Sequence, residues 1–364
     1  MLRFRLLPAL AGLLLAGSAA AQPAGAVDDD FVYRVRQGDT LLGLATTYTG
    51  RPGLWTTLQS RNGVADPQRL PIGLELRIPF ALIPERPATL SVAHVAGEVH
   101  SEGRALAPQA VLSEGQSIAT GPAGSATLVL GDGSLLTLPP ASEVTLQRLR
   151  AFQGTDLTDA IIRLETGSLE SAVAPQGEGV GRFEVRTPVA VTGVRGTRLR
   201  VHTSPDGVRS EVVEGATRLV VTPPGGAPQA LRVARNQGAA VGADGTLLGV
   251  RPLLPAPKLG TPVREGGQWS LTFDPVPGAA SYLVRVSTDP EGGSLVSAAT
   301  VDRPEAKVSA PGPGTYYVVV RAVDPLGLGG ADAARPFEGA RTLVSSSGLA
   351  VALGSGGSVL LTEY

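Results

Sequence analysis

The side chains best suited to proton transfer or metal binding near neutral pH are three histidines, His94, His100 and His202. None belongs to a recognisable catalytic set. His94 and His100 stand on an expected strand at an even spacing, which would put both on one face, and only Glu98 lies between them as a further ligand. A zinc site takes three or four protein ligands, so the pair reads as structural and no metal site is expected. No His-Glu-x-x-His helix occurs, no Ser/His/Asp set gathers in sequence, and no glycine-rich phosphate loop joins a strand to a helix. Two carboxylates that cleave a glycan need a groove in a larger catalytic domain, and none is legible. Asp132-Gly133 and Asp206-Gly207 lack the alternating acidic ligands of a calcium loop and read as turns. No catalytic residue and no cofactor is expected, and the chain reads as a non-enzyme.

The chain has no cysteine, which excludes disulfides, thiolate metal sites and a cysteine nucleophile. It also excludes anchoring through a lipidated N-terminal cysteine. The formal net charge is −1, so no bulk field draws the protein to nucleic acid or to an anionic membrane. Gly (47) and Pro (30) are abundant among 364 residues, which suits many short strands separated by turns. Hydrophobic residues at 43% still suffice for packed cores.

The N-terminus has the form of an export signal. Arg3 and Arg5 precede an apolar run from Leu6 to Ala16, and Ala19-x-Ala21 closes a set of small residues. The run falls short of the ~20 residues that span a bilayer. Cleavage after residue 21 is expected, leaving a periplasmic protein with no membrane span.

Residues 31–79 form the first compact unit. Tyr33 and Val35 share one face of a strand over 31–36. Gly38-Asp39-Thr40 breaks it, and Asp39 or Thr40 can cap the following helix. Leu41, Leu44, Ala45 and Tyr48 recur at helical spacing. A second short helix over 54–61 turns Trp55 and Leu58 inward and stops at Asn62-Gly63. Leu74, Leu76 and Ile78 alternate in a closing strand. The carriers Tyr33-x-Val35-x-x-Gly38-Asp39-Thr40-Leu41, Leu44-Ala45, Leu58, Asn62 and Leu70-Pro71-Ile72-Gly73-x-x-Leu76-x-Ile78-Pro79 resemble the LysM family. The resemblance implies a small βααβ module that binds N-acetylglucosamine-containing glycan, here peptidoglycan. It places the ligand groove between two loops, which on this chain are Gly38, Asp39, Thr40 and Leu41 and, opposite them, Asp66, Leu70, Pro71 and Ile72. Backbone N–H and C=O groups would bond the acetamide, and Leu41 or Ile72 would cover its methyl. The plainer roles are a turn and cap for Gly38, Asp39 and Thr40, with the Asp39 side chain given to capping, and a core position for Trp55.

Residues 80–87 read as a proline-rich extended linker, followed by a strand-rich region at 88–250. Short strands flank Asp132-Gly133, and alternation continues through Val144 and Leu146, Phe183 to Arg186, Val189 to Val194 and Leu199-x-Val201. This spacing fits a sandwich or a solenoid-like stack. Gly115 to Gly121, Ser125-Ala126, Asp132-Gly133-Ser134, Leu164-x-x-Gly167-Ser168-Leu169, Thr187-Pro188-x-Ala190-Val191-x-Gly193-Val194-Arg195-Gly196-Thr197 and Val213-Glu214-Gly215 resemble the FecR domain family. The resemblance implies an all-β periplasmic domain, in some members a relay of iron-uptake signals across the membrane. No span for such a relay is legible here. Arg195 offers a bidentate anion contact, but a guanidinium bonded to loop carbonyls is the plainer role.

Residues 251–262 read as a second proline-rich linker. Over 263–337, Trp269-x-Leu271-x-Phe273, Tyr282-x-Val284-x-Val286 and Tyr316-x-Val318-x-Val320 alternate between turn clusters. This unit resembles a fibronectin type III sandwich, with Trp269 in the core and Tyr316 as the tyrosine-corner residue. A Gly/Ser-rich tail occupies 338–364. The fold class expected is multidomain and mainly β: a LysM-like module, an all-β FecR-like domain and a C-terminal β-sandwich. The function expected is a periplasmic peptidoglycan-binding scaffold or sensor that presents its β domains to an envelope protein. The alternatives are a regulatory component of an envelope signalling system and, less favoured, a divergent wall hydrolase.

Overall fold

The computed structural model describes residues 25–27, 30–155, 157–172, 180–194, 197–223, 225–265, 268–290, 292–310 and 312–339. The expected signal peptide, the tail from 340 onward and the Arg195-Gly196 pair lie outside the described residues.

The N-terminal module has the anticipated order. Strand Asp30–Arg34 pairs antiparallel with Glu75–Pro79, setting Phe31 opposite Ile78 and Tyr33 opposite Leu76. A short strand, Gly25–Val27, extends the sheet on its other side. Helix Leu41–Thr49 begins at Thr40, whose side chain accepts from the Gly43 N–H, and ends at Gly50 in the left-handed region. Helix Trp55–Asn62 ends the same way at Gly63. Phe31, Tyr33, Leu41, Leu44, Leu58, Leu76 and Ile78 close the core.

Residues 80–87 are not a free spacer. Phe80–Leu82 is a 3-10 turn, and Glu85–Pro87 pairs with Arg150–Phe152 of the next domain. The φ that proline imposes suits an edge strand as well as an extended linker. Phe80 stacks on Phe152 at 4.3 Å, and Ile83, Phe152 and Leu157 join the module's core.

The central domain is a two-layer sandwich, which decides between the two arrangements the strand spacing allowed. One layer runs Arg104–Ala105, Val99–Ser101, Ser117–Thr120, Glu143–Phe152, Thr158–Ala172, Val180–Arg186, Ala190–Val194, Ala216–Val221, Gln229–Ala234. The other runs Val111–Ser113, Thr89–Ala96, Ser125–Leu130, Leu135–Leu138, Thr158–Ala172, Arg198–Ser204, Gly207–Glu214, Gln237–Gly242, Leu247–Pro252. The long strand Thr158–Ala172 belongs to both. Thr166 still pairs with Glu143 in the first layer, and Gly167 already pairs with Thr203 in the second. At this crossing Gly167 has φ +81°, and a Cβ there would lie 2.4 Å from the Ala141 carbonyl oxygen, so glycine is required. Leu146, Ile162 and Leu164 from one layer meet Leu90, Leu128 and Val201 from the other in a single core. His94 and His100 lie on different strands in different layers, not on one face of one strand. The chain reverses between them at Gly97, φ +62°.

The C-terminal unit is a sandwich of three strands (Val263–Glu265, Gln268–Thr272, Glu305–Val308) and four (Leu295–Val301, Ser281–Ser287, Thr315–Val323, Gly329–Glu338). Trp269 is half-buried, 5.3 Å from the ring of Phe337. The hydroxyl that reaches back to the main chain is that of Tyr282, which accepts from the Val276 N–H at 2.9 Å, so Tyr282 takes the part expected of Tyr316. The second proline-rich segment is likewise structured. Arg251 and Pro252 close the last central strand, Leu254 accepts from the Ala331 N–H, and Leu259 bridges to Phe273.

The outer face of the four-stranded sheet lies against the outer face of the second central layer. Glu170, Arg200 and Glu211 are cross-strand neighbours on the central side, and Arg321 is opposite Asp332 on the other. Arg285 and Arg321 each donate to Glu170 at 3.0 Å. Arg200 donates to the carbonyls of Gly329 and Gly330 at 3.0 and 2.7 Å and sits 3.4 Å from Asp332. The central side carries two carboxylates and one guanidinium, and the sandwich side the reverse, so the halves are complementary in charge.

Candidate glycan-binding site

The two loops expected to hold a glycan do meet. The Leu41 N–H donates to the Pro67 carbonyl at 3.2 Å, and the Gly73 N–H donates to the Val35 carbonyl at 2.8 Å. In the first loop, Gly38 has φ +90° and Asp39 closes the turn. One Asp39 carboxylate oxygen accepts from the Arg36 N–H at 2.7 Å and from the Tyr33 hydroxyl at 2.8 Å. Asp39 is therefore a turn brace, and Thr40 alone is the helix cap, with Gly43 N–H to Thr40 Oγ1 at 3.1 Å. Burial, and then the bond to Asp39, push the Tyr33 phenol up to about 12.

In the second loop, Asp66 accepts from the Gln68 N–H at 2.9 Å, an Asx turn. The Pro71 carbonyl accepts from the Leu74 N–H at 3.1 Å, with Gly73 at φ +85°. Ile72 stands at the tip of this turn, 70% exposed. Leu70 is half-buried against the module core, whereas Pro71 and Asp66 are exposed.

Leu41 departs from expectation. Its side chain is wholly buried, so it cannot cover a sugar methyl, and only its backbone N–H serves the loop junction. The apolar side chain at the surface is its neighbour Leu42, 53% exposed. Leu42 lies about 100° around the helix from Leu41, off the stripe formed by Leu41, Leu44 and Ala45. That misplacement of a leucine was the available signal. Trp55 packs, half-buried, on the core, as its plainer role required. The main-chain groups of the junction bond one another, and Leu42 and Ile72 supply exposed aliphatic side chains on the two loops.

The histidines remain apart. His100 Nδ1 is 3.9 Å from Glu98, and His202 Nδ1 is 2.9 Å from Ser168 Oγ. Among the described residues, no three His, Asp or Glu side chains gather to hold a metal, and no helix is long and apolar enough to cross a membrane.

The fold and the paired loops define a multidomain, mainly β protein with a small βααβ module at its head. Residues 33–79 match the LysM domain model and residues 116–218 match the FecR protein model, so the chain carries a LysM domain and a FecR region. The chain is similar to a provisionally assigned anti-sigma factor from Parabacteroides distasonis ATCC 8503, seen in two crystal structures. Identities are 17% and 18% and TM-scores 0.30 and 0.29, covering 37% of this chain and 59% of that one in both. The chain thus spans 59% of the length of those structures. It is also similar to the fn3 domain of the human collagen alpha-1(XX) chain, with 28% identity and a TM-score of 0.22, over 28% of this chain and 98% of that one. No curated protein matches the chain.

Proposed function

We propose that the protein is a non-catalytic periplasmic component of a bacterial envelope that holds peptidoglycan through its LysM domain and presents the two β domains to a protein partner. The observation that carries this reading is the Leu41–Pro67 main-chain bond that joins the two loops, with Leu42 exposed on one side of the junction in sequence and Ile72 exposed in the second loop. Such a site recognises an acetamido group by geometry and an apolar contact, with no acid or base involved. The test is retention of the purified chain on isolated sacculi at low salt. Ile72→Glu should reduce retention several-fold while leaving the melting temperature unchanged, because the side chain is 70% exposed. Gly38 is a poorer probe, since any side chain there is strained at φ +90°. Equal retention of Ile72→Glu and the unaltered chain would remove the groove assignment.

The FecR match at 116–218 favours a second reading, a regulatory component of an envelope signalling system. The two differ in outcome. A scaffold is recovered with sacculi whatever its partner's state, whereas a regulator alters transcription of a target operon when deleted.

A further inference from the structure

The second layer of the central domain ends in the strand Leu247–Pro252, which pairs with Gln237–Gly242 and, among the described residues, with no other strand. Its open side is apolar. Leu248 is 49% and Val250 38% exposed, and no charged residue occurs from Gly245 to Val250. Edge strands are commonly guarded by charge, proline or a bulge. Arg251, Pro252 and the unmatched Leu248 stand near Val250, but none occupies it. The main chain shows which groups face out. The Leu253 N–H donates to the Asn236 carbonyl at 2.8 Å. Bonded and non-bonded pairs alternate in an antiparallel ladder. Arg251 and Gly249 are therefore turned toward Gly238 and Ala240, while Val250, opposite Ala239, and Pro252, opposite Gln237, are turned away from the sheet. The proline stands where its missing N–H costs no ladder bond, and Val250 offers both an N–H and a carbonyl to the open side.

We propose that two copies of the chain meet at this edge, as an antiparallel pair of Leu247–Pro252 strands with a two-fold axis at Val250. About that axis the Val250 N–H donates to the carbonyl of the partner's Val250, and the reverse bond follows by symmetry. Arg251 falls opposite the partner's Gly249, which has no side chain to crowd it. Leu248 falls opposite the partner's Pro252, of which only the carbonyl is asked. This match of the edge to itself is what selects a second copy as the occupant. A contact of this kind uses one patch twice and closes on itself, so assembly stops at two. The net charge of −1 sets up little repulsion between copies. Six residues of strand put the junction at the small end of protein interfaces, so the dimer is weak and forms at micromolar concentration. Each dimer carries two LysM domains, so on the glycan reading above attachment becomes bivalent. The pairing itself stands apart from that reading.

The experiment uses sedimentation equilibrium and cross-linking of the purified chain. The chain has no cysteine, so Val250→Cys introduces a lone thiol. Bonded antiparallel partners have Cα atoms about 5.5 Å apart, within reach of a disulfide. The control is Val263→Cys, 56% exposed on an edge strand of the C-terminal sandwich. Val250→Lys and Val250→Glu are sedimented separately and as an equal mixture, because like charges directly opposite weaken a strand pair and unlike charges support it. The proposal expects a monomer–dimer equilibrium for the unaltered chain and roughly tenfold weaker dimerisation of each charged variant at unchanged melting temperature. It also expects recovery in the mixture, and cross-linking under mild oxidation roughly tenfold faster at position 250 than at 263. A chain that stays monomeric up to about 0.2 mM, equal cross-linking at the two positions, dimerisation untouched by either charge, or a mixture that stays monomeric overturns it. If a charged variant melts lower, the cysteine comparison decides alone.

Discussion

The Leu41 N–H reaches the Pro67 carbonyl at 3.2 Å, so the two loops of the LysM domain are joined directly through main-chain atoms. The side chains on either side of that bond are free to differ in role. Leu41 points into the core and Leu42 out of it.

Leu41→Ala should therefore act on stability and Leu42→Glu on retention. Truncating the buried leucine should cost about 2–5 kcal/mol, seen as a lowered denaturant midpoint. Leu42→Glu should leave that midpoint within about 0.5 kcal/mol of the parent and lower recovery with sacculi several-fold. A reversed pattern would show that the helix presents its other face.

Tyr33 should make stability depend on alkaline pH. Its folded phenol, pushed up to about 12, keeps its proton where the unfolded phenol, near 10, releases it. The contribution is complete below about pH 10 and is lost as pH rises from there toward 12. Urea melts at pH 9 and pH 11 should show the fall, and Tyr33→Phe should remove most of it.

The ionic joint between the β domains should loosen in acid. Burial alone would raise the Glu170 carboxyl, but Arg285 and Arg321 hold it far below the usual carboxylate range. The same opposition, led by burial and outweighed by Arg321 and Arg285, leaves Asp332 at about 2. Both groups stabilise above their unfolded values near 4, and this is lost as pH falls from 4 through 2. Glu211, raised by burial, works in the opposite sense, because its stabilisation is present at low pH and fades as pH rises. Two depressed groups oppose one raised group. Small-angle scattering should therefore show the chain elongating below pH 4.

Arg321→Met should have a similar effect at neutral pH. It strips Glu170 and Asp332 of shared donors at 3.0 and 2.8 Å in a buried setting. Breaking one partner of a buried pair costs about 3–5 kcal/mol, read as a separate early transition in calorimetry.

Gly167→Ala should destabilise the central domain by about 2–4 kcal/mol. The residue combines φ +81° with a Cβ position 2.4 Å from the Ala141 carbonyl oxygen. An unchanged thermal midpoint would mean that the crossing relaxes easily.

Local features were the ones legible in the sequence. Thr40, Gly50, Gly63 and Gly73 act within a few residues of themselves, and the helical spacing of Leu41, Leu44 and Ala45 names a buried stripe directly. Tyr282 and Val284 announced an inward face, which leaves Arg285 between them and Val286 on the opposite one. Alternation separates two faces and cannot say whether the polar one is covered. Here it is covered by another sheet, and the partners Glu170 and Arg285 are 115 residues apart in the chain. The linkers misled for a related reason: the torsion proline imposes is shared by spacers and edge strands.

One strand ties these contacts together. Leu157, immediately before Thr158–Ala172, is packed in the LysM core, and Glu170 near the strand's far end sits in the ionic joint. Fifteen residues of strand, about 45–50 Å along the backbone, thus lead from the LysM core to the ionic joint, turning from one layer into the other at Gly167. A displacement of the LysM core would be passed along this strand to the far domain. The three units are thereby coupled through one continuous strand and are not beads on a string.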